Sequence, residues 1–89
     1  MIKTISGYVD VPLGDRADFA LALPEHTRLT HQETGCHYFP VTPDPIVEGR
    51  YLVEEAFDNQ AAYDVHVERT KKTNWAHVTR NIKRSYKTD

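Results

Sequence analysis

The chain has 89 residues, of which 39% are hydrophobic and 27% charged, and its formal net charge is −2. This length fits one domain with one core, and the composition is that of a soluble globular protein. The net charge argues against a dedicated nucleic-acid binder, and no apolar run approaches the ~20 residues that span a membrane. The single cysteine, Cys36, excludes an internal disulfide. Because the first residues do not resemble a signal peptide, we expect a cytoplasmic protein.

The first part of the chain predicts two strands around one helix. Residues 2–11 alternate apolar and polar side chains, as a half-buried strand does. Residues 16–33 then repeat apolar and small residues at helical spacing, with Pro24 inside the pattern. Proline removes one backbone hydrogen bond, so the helix either kinks or divides at Pro24, and we favour one kinked helix. Residues 36–42 form the second predicted strand, in which Pro40 favours an edge position or a bulge.

The next strand runs directly into a second helix. Residues 51–57 alternate again, and one face of this strand carries Tyr51, Val53, Glu55 and Phe57. Asn59 then offers a side-chain oxygen to the free N–H groups of a helix start. The helix that follows has one apolar stripe, formed by Ala62, Tyr63, His66 and Val67. A helical turn at 75–78 and a last strand at 82–86 complete the order β-α-β-β-α-β.

This order is that of a ferredoxin-like α+β fold. Its four-stranded antiparallel sheet carries helices on one face only. The other face needs cover, and in so small a chain a second copy is the simplest source of it. We therefore predict one α+β domain over residues 1–89 that forms a homodimer.

Charge is distributed unevenly along the chain. Residues 66–89 hold seven Lys/Arg and two Asp/Glu, whereas the first 65 residues hold four Lys/Arg and eleven Asp/Glu. A basic segment of this kind either attracts an anionic ligand or pairs with the acidic half of a partner subunit. From the sequence we favour pairing, or a simply solvated surface.

Three segments together resemble the antibiotic-biosynthesis monooxygenase family, the dimeric α+β barrel monooxygenases. TRLTHQETGC (27–36) is similar to the family's Glu-x-Gly-Cys entry to the second strand. RYLVEEAFDN (50–59) is similar to its third strand, where a glutamate is followed two residues later by an aromatic residue. AAYDVHVERT (61–70) is similar to its second helix, with a histidine in the middle. The three segments occur in the family's order and spacing.

The resemblance implies a homodimer whose two sheets pack into a barrel, with a small-molecule pocket in each protomer. Characterised relatives oxidise aromatic polyketides, quinols or haem with O₂, often without flavin or metal. We therefore expect no cofactor, and a small aromatic or quinol-like substrate together with O₂. The first strand lacks the asparagine of haem-degrading relatives, and the histidine beyond Trp75 is His77, only two residues away. We exclude haem degradation on these departures.

The resemblance also identifies His66 and Glu55 as candidate catalytic residues. A neutral imidazole, with an unperturbed pKa near ~6.5, can accept a phenol proton. The alternative is a packed histidine bonded to a backbone carbonyl or to Glu55. Glu55 lies on an apolar face and needs a partner, for which His66, Arg69 and His37 are candidates. That pairing is either structural or catalytic.

The candidate substrate-binding residues would form an aromatic lining, and they are His37, Phe39, Tyr51, Tyr63 and Trp75. Alternation in the second strand places His37 and Phe39 on one face. Aromatic residues at these spacings also fit an ordinary core. The five histidines are scattered without paired metal-ligand spacing, so we predict no metal site. Two other functions remain open: an isomerase or lyase that uses His66 and Glu55 as an acid–base pair, and a non-catalytic ligand-binding or stress-response dimer.

Overall fold

The computed structural model describes residues 1–88 as an antiparallel sheet with three α-helices packed on one face. The strands are Lys3–Asp10 (β1), Cys36–Tyr38 (β2), Val41–Pro43 (β3), Arg50–Phe57 (β4) and Arg84–Thr88 (β5). The helices are Arg16–His31 (α1), Gln60–Thr70 (α2) and Asn74–Val78 (α3). The sheet order is β2-β4-β1-β5, and β3 also pairs with β4. The predicted ferredoxin-like order is confirmed.

The second predicted strand is divided at Pro40 into β2 and β3, which both pair with β4. Proline has no N–H to donate, and the Pro40 carbonyl accepts the Glu54 N–H at 3.1 Å. The register against β4 shifts between Cys36 and Tyr38. Because β2 ends the strand order, the irregular edge strand expected from Pro40 is confirmed.

The same register shift makes one side-chain prediction wrong. Alternation places His37 and Phe39 on one face, but Phe39 is buried, whereas His37 is exposed and bonds to Asp58. A period of two holds only while a strand stays regular, and the shift between Cys36 and Tyr38 ends that regularity. His37 is therefore not part of the buried inner face on which Phe39 lies.

Helix α1 continues through Pro24 as one helix, so the alternative of two short helices is wrong. An internal proline costs about 3 kcal/mol in a regular helix. Burial of the inward face, which carries Phe19, His26 and Thr30, offsets that cost. The helix ends at His31, two residues before the predicted end, so Glu33 lies in the turn that precedes β2.

Strand β4 leads into α2 as predicted. The Asn59 side chain caps the helix by accepting the Ala62 N–H at 2.9 Å. α2 extends to Thr70 and so includes Arg69. β5 begins at Arg84, two residues after the predicted start. None of the helices within residues 1–88 is long and apolar enough to cross a membrane.

Candidate active site

A cavity of about 380 Å³ lies between the helices and the inner face of the sheet. This volume is in the range that holds small ligands. Its apolar walls include Phe19, Phe39, Val53, Trp75 and Ile82. Its histidine, acidic and basic lining residues fall into two groups. Three buried residues, which we call the buried end, are His26, Glu55 and His66. Three exposed residues, which we call the basic wall, are Lys71, Arg80 and Arg84.

Glu33 and Arg69 fix the orientation of His66. The His66 Nδ1 lies 2.7 Å from Glu33 Oε1. Arg69, which is three residues beyond His66 on α2, donates to the same Glu33 oxygen at 3.3 Å and to the Thr30 hydroxyl at 2.9 Å. A carboxylate held by an arginine is an acceptor, so His66 carries its proton on Nδ1. The ring then presents the lone pair of Nε2 to the cavity.

The Nε2 of His66 faces Glu55, and the atom Oε1 of Glu55 is 3.5 Å away. That oxygen has no hydrogen-bond partner among residues 1–88, and Glu55 is only 3% exposed. Burial raises the pKa of Glu55 to about 7, although the charge of Arg84 acts in the opposite direction. Burial also lowers the pKa of His66, against the effect of Glu33. A neutral imidazole therefore lies beside a carboxyl that exchanges its proton near neutral pH, as proton transfer requires.

His26 completes the buried end. Its ring stacks on Trp75, with centroids 4.2 Å apart and planes 4° from parallel, and its centroid lies 6.0 Å from that of His66. Burial lowers the pKa of His26 to about 3, and the charges of Arg69, His66 and Arg84 act in the same direction. The ring is therefore neutral near pH 7. Its Nδ1 is buried without a partner in the described part of the chain.

The other reactive groups within residues 1–88 lack the features of a nucleophilic or metal site. Burial raises the pKa of the Cys36 thiol, which disfavours the nucleophilic thiolate. Within residues 1–88, no three His, Cys, Asp or Glu side chains are placed to hold a metal ion. Burial raises the pKa of the cavity-lining Tyr86 to about 12, so its hydroxyl stays protonated near neutral pH.

The structure brings five of the predicted site residues to the cavity: Phe39, Glu55, Tyr63, His66 and Trp75. The other two lie elsewhere. Tyr51 packs under Phe19, with ring centroids 4.6 Å apart, and His37 lies on the outside. Of the three candidate partners of Glu55, His66 is the one within ion-pair distance among the described residues.

Two site residues, Glu33 and His26, are absent from the sequence-based set. Glu33 is the glutamate of the Glu-x-Gly-Cys segment, so the sequence does mark this residue. The segment does not show, however, that α2 brings His66 into contact with Glu33. His26 belongs to the inward stripe of α1, where the same spacing describes a core residue. Only the tertiary structure shows that its Nδ1 lacks a partner among residues 1–88.

The raised pKa of Glu55 predicts a pH-dependent gain in stability for Glu55→Gln. The folded protein holds this proton between the ordinary pKa of 4.5 and about 7, where the unfolded chain has lost it. Ionisation of Glu55 therefore lowers the free energy of unfolding as pH rises through this window. We expect the stability advantage of Glu55→Gln over the parent to grow by about 3 kcal/mol between about pH 4.5 and 8.5, measured by urea unfolding at each pH.

The lowered pKa of His26 also makes stability depend on pH. Its contribution is the same in parent and variant, so it cancels when their stabilities are subtracted. A stability difference between Glu55→Gln and the parent that does not change with pH would contradict the assignment of Glu55 as a buried group that titrates near neutral pH. The comparison needs equal protein concentration throughout, because oligomerisation shifts apparent stability.

Comparisons with known proteins give the family. The family model of antibiotic biosynthesis monooxygenase matches residues 4–78. No curated protein sequence matches this chain. A candidate antibiotic biosynthesis monooxygenase from Deinococcus radiodurans is 21% identical with a TM-score of 0.82, over 100% of this chain and 90% of that one. A second candidate antibiotic biosynthesis monooxygenase, from Nitrosomonas europaea, is 19% identical with a TM-score of 0.79, over 100% of this chain and 94% of that one.

A third similar structure is a conserved protein of unknown function from Bacteroides thetaiotaomicron, described as a possible oxidoreductase. It is 15% identical with a TM-score of 0.78, over 99% of this chain and 95% of that one. Structural likeness at these identities shows the fold alone. The match of the family model, in contrast, spans most of the sequence. The chain belongs to the antibiotic biosynthesis monooxygenase family.

Proposed function

We propose that this protein is a monooxygenase that oxidises a small aromatic or quinol-like substrate with O₂ and without a bound cofactor. Family membership supports a monooxygenase-like role. The observation that carries the finer proposal is the contact between His66 and Glu55 at the buried end of an aromatic-lined cavity. Both groups are buried, and both have pKa values shifted toward the neutral form.

The cavity suits a planar ring with a hydroxyl group. Phe39, Tyr63 and Trp75 supply apolar surface against which a ring can pack. A phenolic hydroxyl at the buried end can donate to His66 Nε2. It can also accept from protonated Glu55, whose Oε1 has no partner among residues 1–88. Binding would then satisfy buried polar atoms that are costly to leave unpaired.

In the proposed reaction, His66 takes the hydroxyl proton, because a phenolate gives up an electron to O₂ more readily than a phenol does. One oxygen atom then bonds to a ring carbon, and the other leaves as water. A quinol and O₂ give a hydroxyquinone and water, and the substrate supplies all four electrons that reduce O₂. The proton on His66 returns to the departing oxygen, with Glu55 placed to relay it.

Oxygen consumption with a panel of phenols and quinols tests this proposal. We expect at least one compound to give uptake well above its rate of autoxidation in buffer. Uptake that never exceeds the buffer rate across the panel would contradict the proposal.

A second candidate is an isomerase or lyase that uses Glu55 and His66 as an acid–base pair. The specific observation in its favour is the pKa of Glu55, raised to about 7 beside a neutral imidazole. Turnover of a small metabolite under anaerobic conditions would favour it over the oxygenase.

We also propose a homodimer formed through the outer face of the sheet. Tyr38 and Leu52 lie on this face and are 47% and 39% exposed. Light scattering is expected to give twice the 10.2 kDa mass of one chain. Leu52→Glu should lower that mass. Val65→Glu, which changes a 64% exposed residue on α2, should not. A parent protein that is monomeric at micromolar concentration would contradict the dimer.

A further inference from the structure

We infer that the substrate carries a carboxylate, which binds at the basic wall formed by Lys71, Arg80 and Arg84. This inference rests on the proposed function, because it assigns a substrate class to the same cavity. It concerns binding, however, so it can be tested without turnover.

The basic wall lies at the solvent side of the cavity. Its three residues flank α3, which carries the cavity-lining Trp75. All three are exposed, whereas the buried end is not. A ligand that spans the cavity therefore meets polar groups of two kinds: neutral or weakly acidic ones inside, and cationic ones near the opening.

The positive charge of this wall is largely uncompensated. Arg80 donates to the His77 carbonyl at 2.7 Å, and Arg84 lies 3.4 Å from the Thr79 hydroxyl. Neither arginine has a carboxylate within ion-pair distance among residues 1–88. Lys71 pairs with Glu68 at 3.0 Å, but both side chains are more than 60% exposed, where such a pair contributes little.

Arg84 connects the wall to the buried end. It lies opposite Val9 in the β1–β5 register, and both residues line the cavity. Its charge acts on Glu55, His66 and His26, in each case favouring loss of the proton. A group bound to Arg84 therefore shares one electrostatic environment with the residues proposed to react.

The guanidinium groups of the basic wall can bind a carboxylate in a defined geometry. A guanidinium offers a planar fork of donors that matches a carboxylate with two parallel hydrogen bonds. The one carboxyl among the described lining residues is Glu55, which is largely protonated below about pH 7 and so does not repel an anion there. A cationic cleft with apolar walls also concentrates anions. Some of the excess basic residues in 66–89 would then serve to bind the substrate.

Calorimetric titration with 2,5-dihydroxybenzoate and its neutral amide, 2,5-dihydroxybenzamide, tests the inference. The two compounds match in size and in ring hydroxyls and differ in charge. We expect the acid to bind about tenfold more tightly than the amide, since hydrogen bonds to charged groups are worth that much or more. Raising the salt from about 0.05 to 0.5 M should weaken binding of the acid alone.

Variants assign the preference to the wall. Arg84→Gln is expected to weaken binding of the acid about tenfold and to leave the amide unchanged. Arg84→Lys should keep only part of the preference, because it keeps the charge but loses the planar fork of donors. Arg28→Gln is the matched control: it removes the same charge from an exposed arginine of α1 that pairs with Glu25.

Equal affinity for acid and amide would overturn the inference, as would binding of neither compound at millimolar concentration. A preference that survives in an Arg80→Gln/Arg84→Gln double variant would also overturn it. The outcome is independent of the proposed reaction. Preferential binding of the acid, with no O₂ uptake from any compound of the panel, would refute the oxygenase alone. Uptake with neutral quinols and no preference for the acid would refute the carboxylate alone.

Discussion

The His66→Gln variant is expected to lose about 10²–10⁴-fold in kcat/KM for the best phenol or quinol, measured as O₂ consumption. Glutamine is similar in size to histidine, and its amide can still hydrogen-bond to Glu33. It has no basic nitrogen, so it cannot take the hydroxyl proton. The loss should appear mainly in kcat, because the apolar walls that hold the ring do not change.

His31→Gln is the control for this experiment. His31 is exposed and ends α1, outside the cavity lining. We expect this variant to match the parent in activity. If His66→Gln, shown by its unfolding curve to be folded, keeps a large part of the parent activity, His66 is not the base.

The Glu33→Ala variant is expected to lose about 2–4 kcal/mol of stability in urea unfolding, because the shared acceptor of a partly buried charge network is removed. Glu33 accepts from Arg69 and from His66, and the three side chains are 15%, 22% and 7% exposed. Without the carboxylate, the Nδ1–H of His66 loses its acceptor, and the guanidinium of Arg69 loses its charged partner while keeping the Thr30 hydroxyl. The variant should also lose activity, since the orientation of His66 depends on Glu33.

The control for this loss is Glu25→Ala, which breaks an ion pair with Arg28 on the same helix. Both of its side chains are more than half exposed. Such a pair typically contributes at most about 1 kcal/mol. If Glu33→Ala and Glu25→Ala cost the same, the network around His66 does not hold the helices together as the structure implies.

The sequence predicts the fold well where side-chain periodicity and backbone chemistry agree. In β4 and α2, alternation, the Asn59 cap and the helical stripe all indicate the same element, and the structure confirms them. Pro40 correctly predicts an irregular edge strand, because a missing N–H constrains any strand that contains it. The predicted start of β5 is two residues too early, because Ile82 is buried ahead of the strand and extends the alternating pattern.

The site is predicted less completely, because periodicity gives the face of a side chain but not what covers it. Tyr51 and Glu55 share a face of β4, but four residues of strand separate them by about 13 Å. Phe19 of α1 packs over Tyr51, so only Glu55 of the two lines the cavity. Glu33 and His66 are 33 residues apart in sequence, and their contact depends on how α1 and α2 pack.

The basic wall illustrates the same limit. The bias of residues 66–89 toward lysine and arginine is visible in the sequence, but a composition does not show which charges already have partners. Arg69 forms an ion pair with Glu33, and Lys71 forms one with Glu68. The structure distinguishes these from Arg80 and Arg84, which line the cavity without a carboxylate partner among residues 1–88.

The central claim is that one atom of O₂ enters the substrate, and labelled oxygen tests it most directly. The protein is incubated under ¹⁸O₂ with the phenol or quinol that gives the fastest uptake, and the product mass is read before its oxygens exchange with water. The account predicts a product that contains one ¹⁸O atom, with the second recovered in water. An unlabelled quinone formed together with hydrogen peroxide, or product formed at the same rate without O₂, would contradict it.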